Sequence, residues 1–296
     1  MTEPDKTLTK SDTQDKFKFQ IVYLVPILAS LIFGLGCAYL LAPQPTQNVQ
    51  VTIFQGDTAS GAVGNASYFV ILVAISAALF YILIKRKSKK IIKALIVVAM
   101  TTASLLLSVI YLSTIFSDLI LIVVPSIIIT VLFDLAIFRF GSIPRNIAVV
   151  GIGGALGVFF GKFIPLYSAV LILAFLAVYD VIAVYRGHVG KIAQSQSASG
   201  SGSALDELQG LSFSFKDIQM GLGDLVFYSM LTGAIFFGFP QSILPTVAAI
   251  IGILAGSIIT FFMLGRKGIF PGLPFPIMLG LTGGLITGFL ILPLLL

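Results

Sequence analysis

The chain has 296 residues, of which 57% are hydrophobic and only 10% are charged, and its mean hydropathy is +1.07. Soluble domains carry about 25% charged residues, so this composition excludes a soluble enzyme, a disordered regulator and a nucleic-acid-binding protein. The single cysteine (Cys37) and the single histidine (His188) exclude a disulfide framework, a cysteine-based zinc site and a pair of histidine ligands. The composition predicts an all-α polytopic membrane protein.

Nine apolar stretches are long enough to cross the hydrocarbon core of a bilayer, which is about 30 Å thick and takes roughly 20 helical residues. They lie at about 19–42, 68–84, 91–112, 119–138, 147–161, 165–185, 217–239, 242–264 and 269–293. We therefore predict nine transmembrane helices.

Lysine and arginine residues occupy alternate connections between these spans. With the N-terminus in the cytoplasm, Lys162 is the only basic residue that falls on the outer side. Because cytoplasmic segments of membrane proteins hold the excess of basic residues, we predict a cytoplasmic N-terminus and an extracytoplasmic C-terminus. The predicted location is the cell membrane.

The spans divide the chain into four segments. Residues 1–18 are predicted to form a cytoplasmic tail, since they lack the apolar core of a signal peptide. Residues 19–185 hold helices one to six, and residues 217–296 hold helices seven to nine. Between them, residues 186–216 form a long cytoplasmic loop, whose Ser/Gly-rich middle is typical of a flexible linker.

Three aspartates lie inside the predicted spans, where an ionisable side chain is costly and indicates a functional site. Asp180 is near the cytoplasmic end of the sixth span and Asp224 is near that of the seventh. At about 1.5 Å per helical residue, each lies roughly 10 Å below the cytoplasmic face, so the two can face each other across antiparallel helices. Asp134 precedes Arg139 by little more than one turn, and we expect it to pair with that arginine or to reach the interface.

The pair of aspartates is compatible with more than one function. Two facing carboxylates can share one proton, so that one acts as a base and the other as an acid; such a pair can activate a water and protonate a leaving amide. Carboxylates in a membrane also bind Na⁺, H⁺ or Ca²⁺, so a cation transporter or channel is the alternative, and a non-catalytic scaffold is a third interpretation. The absence of an internal repeat argues against the transporter, and the matched depth argues against the scaffold.

Small and irregular segments accompany the two aspartates. The sequence Gly-Leu-Gly at 221–223 precedes Asp224, and glycines let another backbone approach closely. The last span opens with Phe-Pro-Gly-Leu-Pro-Phe-Pro at 270–276, and three prolines so close together interrupt a regular helix. Irregular backbone at membrane depth is tolerated only beside protein or a water-filled cavity, so we expect this segment to lie near the pair.

Taken in chain order, Tyr-Asp at 179–180, Gly-Leu-Gly-Asp at 221–224 and Pro-Gly-Leu-Pro at 271–274 resemble the motifs of the presenilin-type, or GxGD, intramembrane aspartyl proteases. The nine-span layout is also similar to that family. The chain departs from its pattern at Gly272, where the family usually has alanine. The sibling signal peptide peptidases share both aspartate motifs with inverted topology, so the predicted orientation and the Pro-x-Leu-Pro form favour the presenilin branch.

The resemblance implies an aspartic endopeptidase that hydrolyses peptide bonds within transmembrane helices, with Asp180 and Asp224 as the catalytic residues and with no metal or other cofactor. Its partners would be the lipid bilayer and single-span proteins whose N-terminus lies outside, and a homo-oligomer would be compatible with this function. A helical substrate must unwind before cleavage, and the Pro-Gly-Leu-Pro element would hold the unwound stretch by backbone pairing, as in strand addition. The residues expected to bind the substrate are Tyr179, Gly221, Leu222, Gly223, Pro271, Gly272, Leu273 and Pro274.

Overall fold

The computed structural model describes residues 21–43, 51–54, 58–86, 88–185, 212–215, 218–267 and 270–295. The predicted tail at 1–18 and the part of the predicted loop at 186–211 lie outside these ranges. The described part of the chain contains nine α-helices: α1 Val25–Leu41, α2 Ala59–Lys85, α3 Lys89–Ser113, α4 Leu119–Phe138, α5 Ser142–Phe163, α6 Leu166–Tyr185, α7 Leu222–Gly238, α8 Leu244–Lys267 and α9 Pro274–Leu295. A short 3₁₀ helix, Ile21–Leu24, leads into α1.

The prediction of a helical fold is confirmed. Seven of the described helices are long and apolar enough to cross a membrane, and the apolar parts of α7 and α9 are shorter. Helix α4 has the predicted bounds, whereas α5 begins at Ser142 and is longer than predicted. The early start of α5 includes Pro144, which the first turn of a helix accepts because its amide needs no partner there.

Helix α2 also begins earlier than predicted, at Ala59. Its first residues are small and polar, so their hydropathy did not mark them as part of a span. One of them, Asn65, is buried and donates from Nδ2 to Ser168 Oγ of α6 at 3.0 Å and to the Phe54 carbonyl at 3.0 Å. These bonds satisfy the buried amide and fix the start of α2 against α6.

A two-stranded antiparallel sheet precedes α7 and corrects the prediction of a seventh span from residue 217. Strand β1 is Ser212–Phe215, strand β2 is Ile218–Gly221, and Ser212 lies opposite Gly221. The Ser-Phe-Ser-Phe sequence of β1 alternates with the period of a strand. Gly221 is extended and is the N-cap of α7, so the sheet leads directly into the helix that carries Asp224.

Helices α5 and α7 pack backbone against backbone through glycines. A Cβ atom added at Gly157 would overlap the Val226 carbonyl oxygen, and one added at Gly161 would lie 2.6 Å from the Ala234 nitrogen. On the opposing helix, a Cβ at Gly233 would lie 3.1 Å from the Val158 Cα atom. Small residues at a helix interface let the two backbones approach, and α7 is thereby held at the centre of the bundle.

Helices α8 and α9 form a second close pair. A Cβ at Gly256 of α8 would lie 2.5 Å from the Phe275 carbonyl carbon, and a Cβ at Gly280 of α9 would lie 2.7 Å from Ile253 Cγ1. Because Phe275 lies in the first turn of α9, this contact fixes the position at which the Pro-Gly-Leu-Pro element ends.

Helix α6 is held less tightly than α5 and α7. In its most apolar stretch 33% of the residues are buried, against 61% for α5. Its outward face is exposed over most of its length, including Phe175, Val178 and Ile182. The helix that carries Asp180 therefore has fewer packing constraints than the helix that carries Asp224.

We expect Gly157→Ala to lower the free energy of unfolding by about 1–3 kcal/mol, because the added methyl group overpacks the contact with α7. Thermal unfolding of the purified protein in detergent measures the change. The matched control is Gly36→Ala in α1, since no described atom lies within 4 Å of the added methyl group. Equal unfolding midpoints for the two variants would contradict the proposed role of the α5–α7 contact.

Candidate active site

Asp180 lies in the penultimate turn of α6 and is half-buried. Its Oδ2 atom accepts a hydrogen bond of 2.9 Å from the Leu273 amide, and the Gly272 amide also faces this carboxylate. Asp180 is thus bonded to the backbone of the Pro-Gly-Leu-Pro element, which is far from it in sequence.

Asp224 lies in the first turn of α7, where the helix dipole favours a negative charge. Its carboxylate touches Gly272, since a Cβ atom at residue 272 would lie 3.2 Å from Asp224 Oδ2. Asp180 and Asp224 are also close enough for their charges to interact. The glycine, at a position where presenilin-type proteases usually have alanine, lets the backbone of the element approach Asp224 closely.

The Pro-Gly-Leu-Pro element is irregular until Pro274, which begins α9. Proline suits the start of a helix because its φ angle is already helical and its missing amide would have no partner there. The Leu273 carbonyl accepts the first bond of α9, from the Ile277 amide at 3.0 Å, and the Leu273 side chain is buried. The rings of Phe270 and Phe275 stack across the element with their centroids 5.7 Å apart.

The structure brings most of the predicted substrate-binding residues to this place, with one exception. Tyr179 is half-buried beside Asp180, while Gly221 and Gly223 are exposed beside Asp224. Leu222 is buried instead, and its Cδ1 atom lies 3.4 Å from the position of a Cβ on Gly153 of α5. Leu222 therefore packs against α5.

Asp134, the third aspartate within a span, has a different partner from the predicted one. Its Oδ2 atom accepts a hydrogen bond of 2.7 Å from Thr101 Oγ1 of α3, and its buried Oδ1 atom has no hydrogen-bond partner among the described residues. The predicted pairing with Arg139 is wrong because that residue is the exposed C-cap of α4, whereas Asp134 faces α3. Asp134 belongs to the contact between α3 and α4.

Tyr228 is the residue of this site that the sequence did not single out. It lies one turn after Asp224 on α7, its side chain is only 2% exposed, and its hydroxyl donates to the Gly272 carbonyl at 3.0 Å. Residues four apart share one face of a helix, and this spacing from Asp224 was the available signal.

Known proteins match both halves of the chain. Residues 30–200 match the family described as "Signal-peptide peptidase, presenilin aspartyl protease", and residues 187–295 match the family described as "Presenilin". No curated protein sequence matches the chain.

The fold is similar to two solved structures of a presenilin family intramembrane aspartate protease. The structure in space group C222 has 19% sequence identity and a TM-score of 0.66, and the match covers 90% of this chain and 98% of that chain. The structure in space group P2 also has 19% identity, with a TM-score of 0.65 and coverage of 93% and 99%.

The first family match spans more than half of the chain and includes Asp180, and the second includes Asp224 and the Pro-Gly-Leu-Pro element. The structural matches show the corresponding helical fold over most of the chain. The chain therefore belongs to the signal-peptide peptidase and presenilin family, and it is an intramembrane aspartyl protease.

Proposed function

We propose that Asp180 and Asp224 are the catalytic pair of this protease and that the scissile peptide bond is bound between them. The observation that carries this proposal is the position of one peptide group. The amide of Leu273 donates to Asp180 at 2.9 Å, and Gly272, on the other side of the same peptide bond, touches the carboxylate of Asp224. Three segments distant in sequence thus meet at the two acids.

The pair supplies both proton transfers that hydrolysis needs. One carboxylate takes a proton from a water molecule as the water oxygen attacks the scissile carbonyl carbon. The other, protonated, gives its proton to the leaving nitrogen, and the carbon–nitrogen bond breaks. The products are a new carboxyl group and a new amine, and the pair again holds one proton between its two members.

Backbone pairing with the substrate is expected at the sheet beside the site more than at the Pro-Gly-Leu-Pro element. In that element the Gly272 carbonyl, the Leu273 amide and the Leu273 carbonyl already have partners within the protein. In the described ranges the sheet has two strands, β1 and β2, so each keeps one edge without a strand partner, and such an edge is a template for strand addition. We propose that an unwound substrate pairs along β2, which ends at Gly221 beside Asp224.

The exposed glycines before Asp224 complete this path. Gly221 and Gly223 present backbone without side chains, so a substrate strand that continues from β2 can reach the carboxylates without steric obstruction. Tyr179 lies beside Asp180 on α6. We assign these three residues, together with Pro271, Gly272, Leu273 and Pro274, to shaping the cleft in which the substrate lies.

Peptide hydrolysis is favoured over cation transport. The family to which the chain belongs is one of aspartyl proteases. The described contacts of the Pro-Gly-Leu-Pro element also support hydrolysis, since they place a backbone amide on Asp180 and a side-chain-free backbone on Asp224.

We further propose that all nine helices span the cell membrane, with the N-terminus in the cytoplasm and the C-terminus outside. The distribution of basic residues supports this orientation. Residues 1–18 and 186–216 would then be cytoplasmic tail and loop, and both catalytic aspartates would lie near the cytoplasmic face. The proposed substrates are single-span proteins with the N-terminus outside.

Asp180→Asn and Asp224→Asn are each expected to reduce cleavage of a single-span peptide by at least about 100-fold, because each removes a group needed for proton transfer. The assay uses the full chain reconstituted in bilayers, with mass spectrometry to locate the cuts. Asp134→Asn is the control, since this aspartate lies within a span but bonds to Thr101, and it is expected to retain activity. Substantial turnover by either active-site variant would refute the catalytic pair.

Gln219→Pro is expected to reduce cleavage about fivefold or more. Proline removes one backbone N–H from β2, and with it one hydrogen bond to the substrate strand. The same reconstituted assay measures the change in cleavage, and the control is Gln219→Ala, which keeps the backbone N–H. If the alanine and proline variants have equal activity, strand addition at β2 is wrong.

The proposed orientation is tested by labelling single cysteines with a membrane-impermeant maleimide in intact cells. In a Cys37→Ser background, Leu296→Cys is expected to react from outside and Thr9→Cys only after lysis. An odd number of spans puts the termini on opposite sides, so reaction of both cysteines in intact cells would contradict nine spans.

A further inference from the structure

The peptide group between Gly272 and Leu273 has a hydrogen-bond partner at each end. Its N–H donates to Asp180 at 2.9 Å, and its carbonyl accepts from the Tyr228 hydroxyl at 3.0 Å. The bond is trans, and in a trans peptide the carbonyl and the N–H lie in one rigid plane and point in opposite directions. The orientation of the carbonyl therefore determines the direction in which the N–H points.

The Tyr228 hydroxyl is itself held in place. The side chain is 2% exposed, and Ser257 of α8 lies beside the hydroxyl. The Ser257 hydroxyl donates its own proton to the Ile253 carbonyl of its helix at 2.8 Å. A hydroxyl carries one proton and a buried hydroxyl needs a partner, so the Tyr228 proton is directed at the Gly272 carbonyl.

On this basis, we propose that Tyr228 is a positioning residue for the proteolytic reaction, which acts on Asp180 through the Gly272–Leu273 peptide group. This inference rests on the proposed role of Asp180 and Asp224. Tyr228 belongs to the helix that carries Asp224, and Asp180 belongs to α6. The hydrogen bonds from Tyr228 through the peptide group to Asp180 therefore set one catalytic carboxylate relative to the helix of the other.

Gly272 makes this constraint necessary. It has no side chain that could be held by packing, and a Cβ atom there would lie 3.2 Å from Asp224 Oδ2. Glycine also has the greatest backbone freedom of all residues. Without the bond from Tyr228, the plane of the 272–273 peptide is free to turn, and the Leu273 amide leaves Asp180. Hydrogen bonds in a chain also polarise one another, so the loss of the first weakens the second.

The test compares two tyrosines whose hydroxyls donate to backbone carbonyls. Tyr228→Phe removes the hydroxyl and keeps the ring, so we expect kcat for a reconstituted single-span peptide to fall about fivefold to tenfold. KM is expected to stay within about twofold, since the buried ring makes no contact with substrate. Tyr111→Phe is the matched control, because its hydroxyl also donates to a backbone carbonyl, that of Ala155 in α5, at 2.8 Å.

A spectroscopic measurement distinguishes positioning from a loss of stability. The chain is labelled with ¹³C at glycine carbonyls and ¹⁵N at leucine amides, and the Gly272–Leu273 signal is assigned with a Leu273→Ile variant. Tyr228→Phe is expected to move the Leu273 amide proton upfield as its hydrogen bond weakens, while Tyr111→Phe leaves the signal in place.

An unchanged kcat in Tyr228→Phe, or a fall no larger than that in Tyr111→Phe, would overturn the inference. So would a lower kcat with the Leu273 signal unmoved. If Tyr228→Phe does not fold, site-specific 3-fluorotyrosine in place of Tyr228 keeps the ring and makes the hydroxyl a stronger donor, and an unchanged kcat with an unchanged signal rejects the role of the hydroxyl. Substantial activity in either Asp180→Asn or Asp224→Asn would instead refute the proposed catalytic pair itself, so the two failures are distinguishable.

Discussion

The hydrogen bond from the Leu273 amide to Asp180 is the contact on which the arrangement of the site depends. Two carboxylates in an apolar interior repel each other and lose their hydration, so neither would remain beside the other without a compensating partner. The Pro-Gly-Leu-Pro element provides that partner, since its prolines keep it out of regular helix and leave an amide for a side chain. The same backbone passes close to Asp224 because residue 272 is glycine.

The rest of the bundle keeps this element in position. Glycines bring α7 against α5 and α8 against α9 at backbone distance. Such contacts tolerate little displacement, because close-packed backbones cannot move without overlap. The first turn of α7, which carries Asp224, and the start of α9, which follows Leu273, are therefore placed by the α5–α7 and α8–α9 interfaces.

Much of this arrangement could be predicted from the sequence. Asp180 and Asp224 stand out because a carboxylate is rare in an apolar span, and the closely spaced prolines at 271 and 274 predict an interrupted helix at this place. The hairpin at 212–221 was missed because its apolar residues continue the hydropathy of the following helix. Tyr228 was missed because its spacing of four residues from Asp224 indicates a shared helix face but does not reveal the bond to a backbone carbonyl. The partner of Asp134 depended on how α3 and α4 are rotated, which spacing along one helix does not determine.

The unequal packing of α6 and α7 has a consequence for how the protease admits its substrate. Asp224 is on a helix that its neighbours enclose, whereas Asp180 is on a helix with much of its outer face exposed. That helix is next to α2, in whose most apolar stretch only 6% of the residues are buried. A substrate that arrives sideways from the lipid can displace α6 far more easily than α7. Outward movement of α6 would carry Asp180 away from Leu273 and separate the two aspartates. Hydrolysis would then require α6 to return to its packed position with the substrate bound.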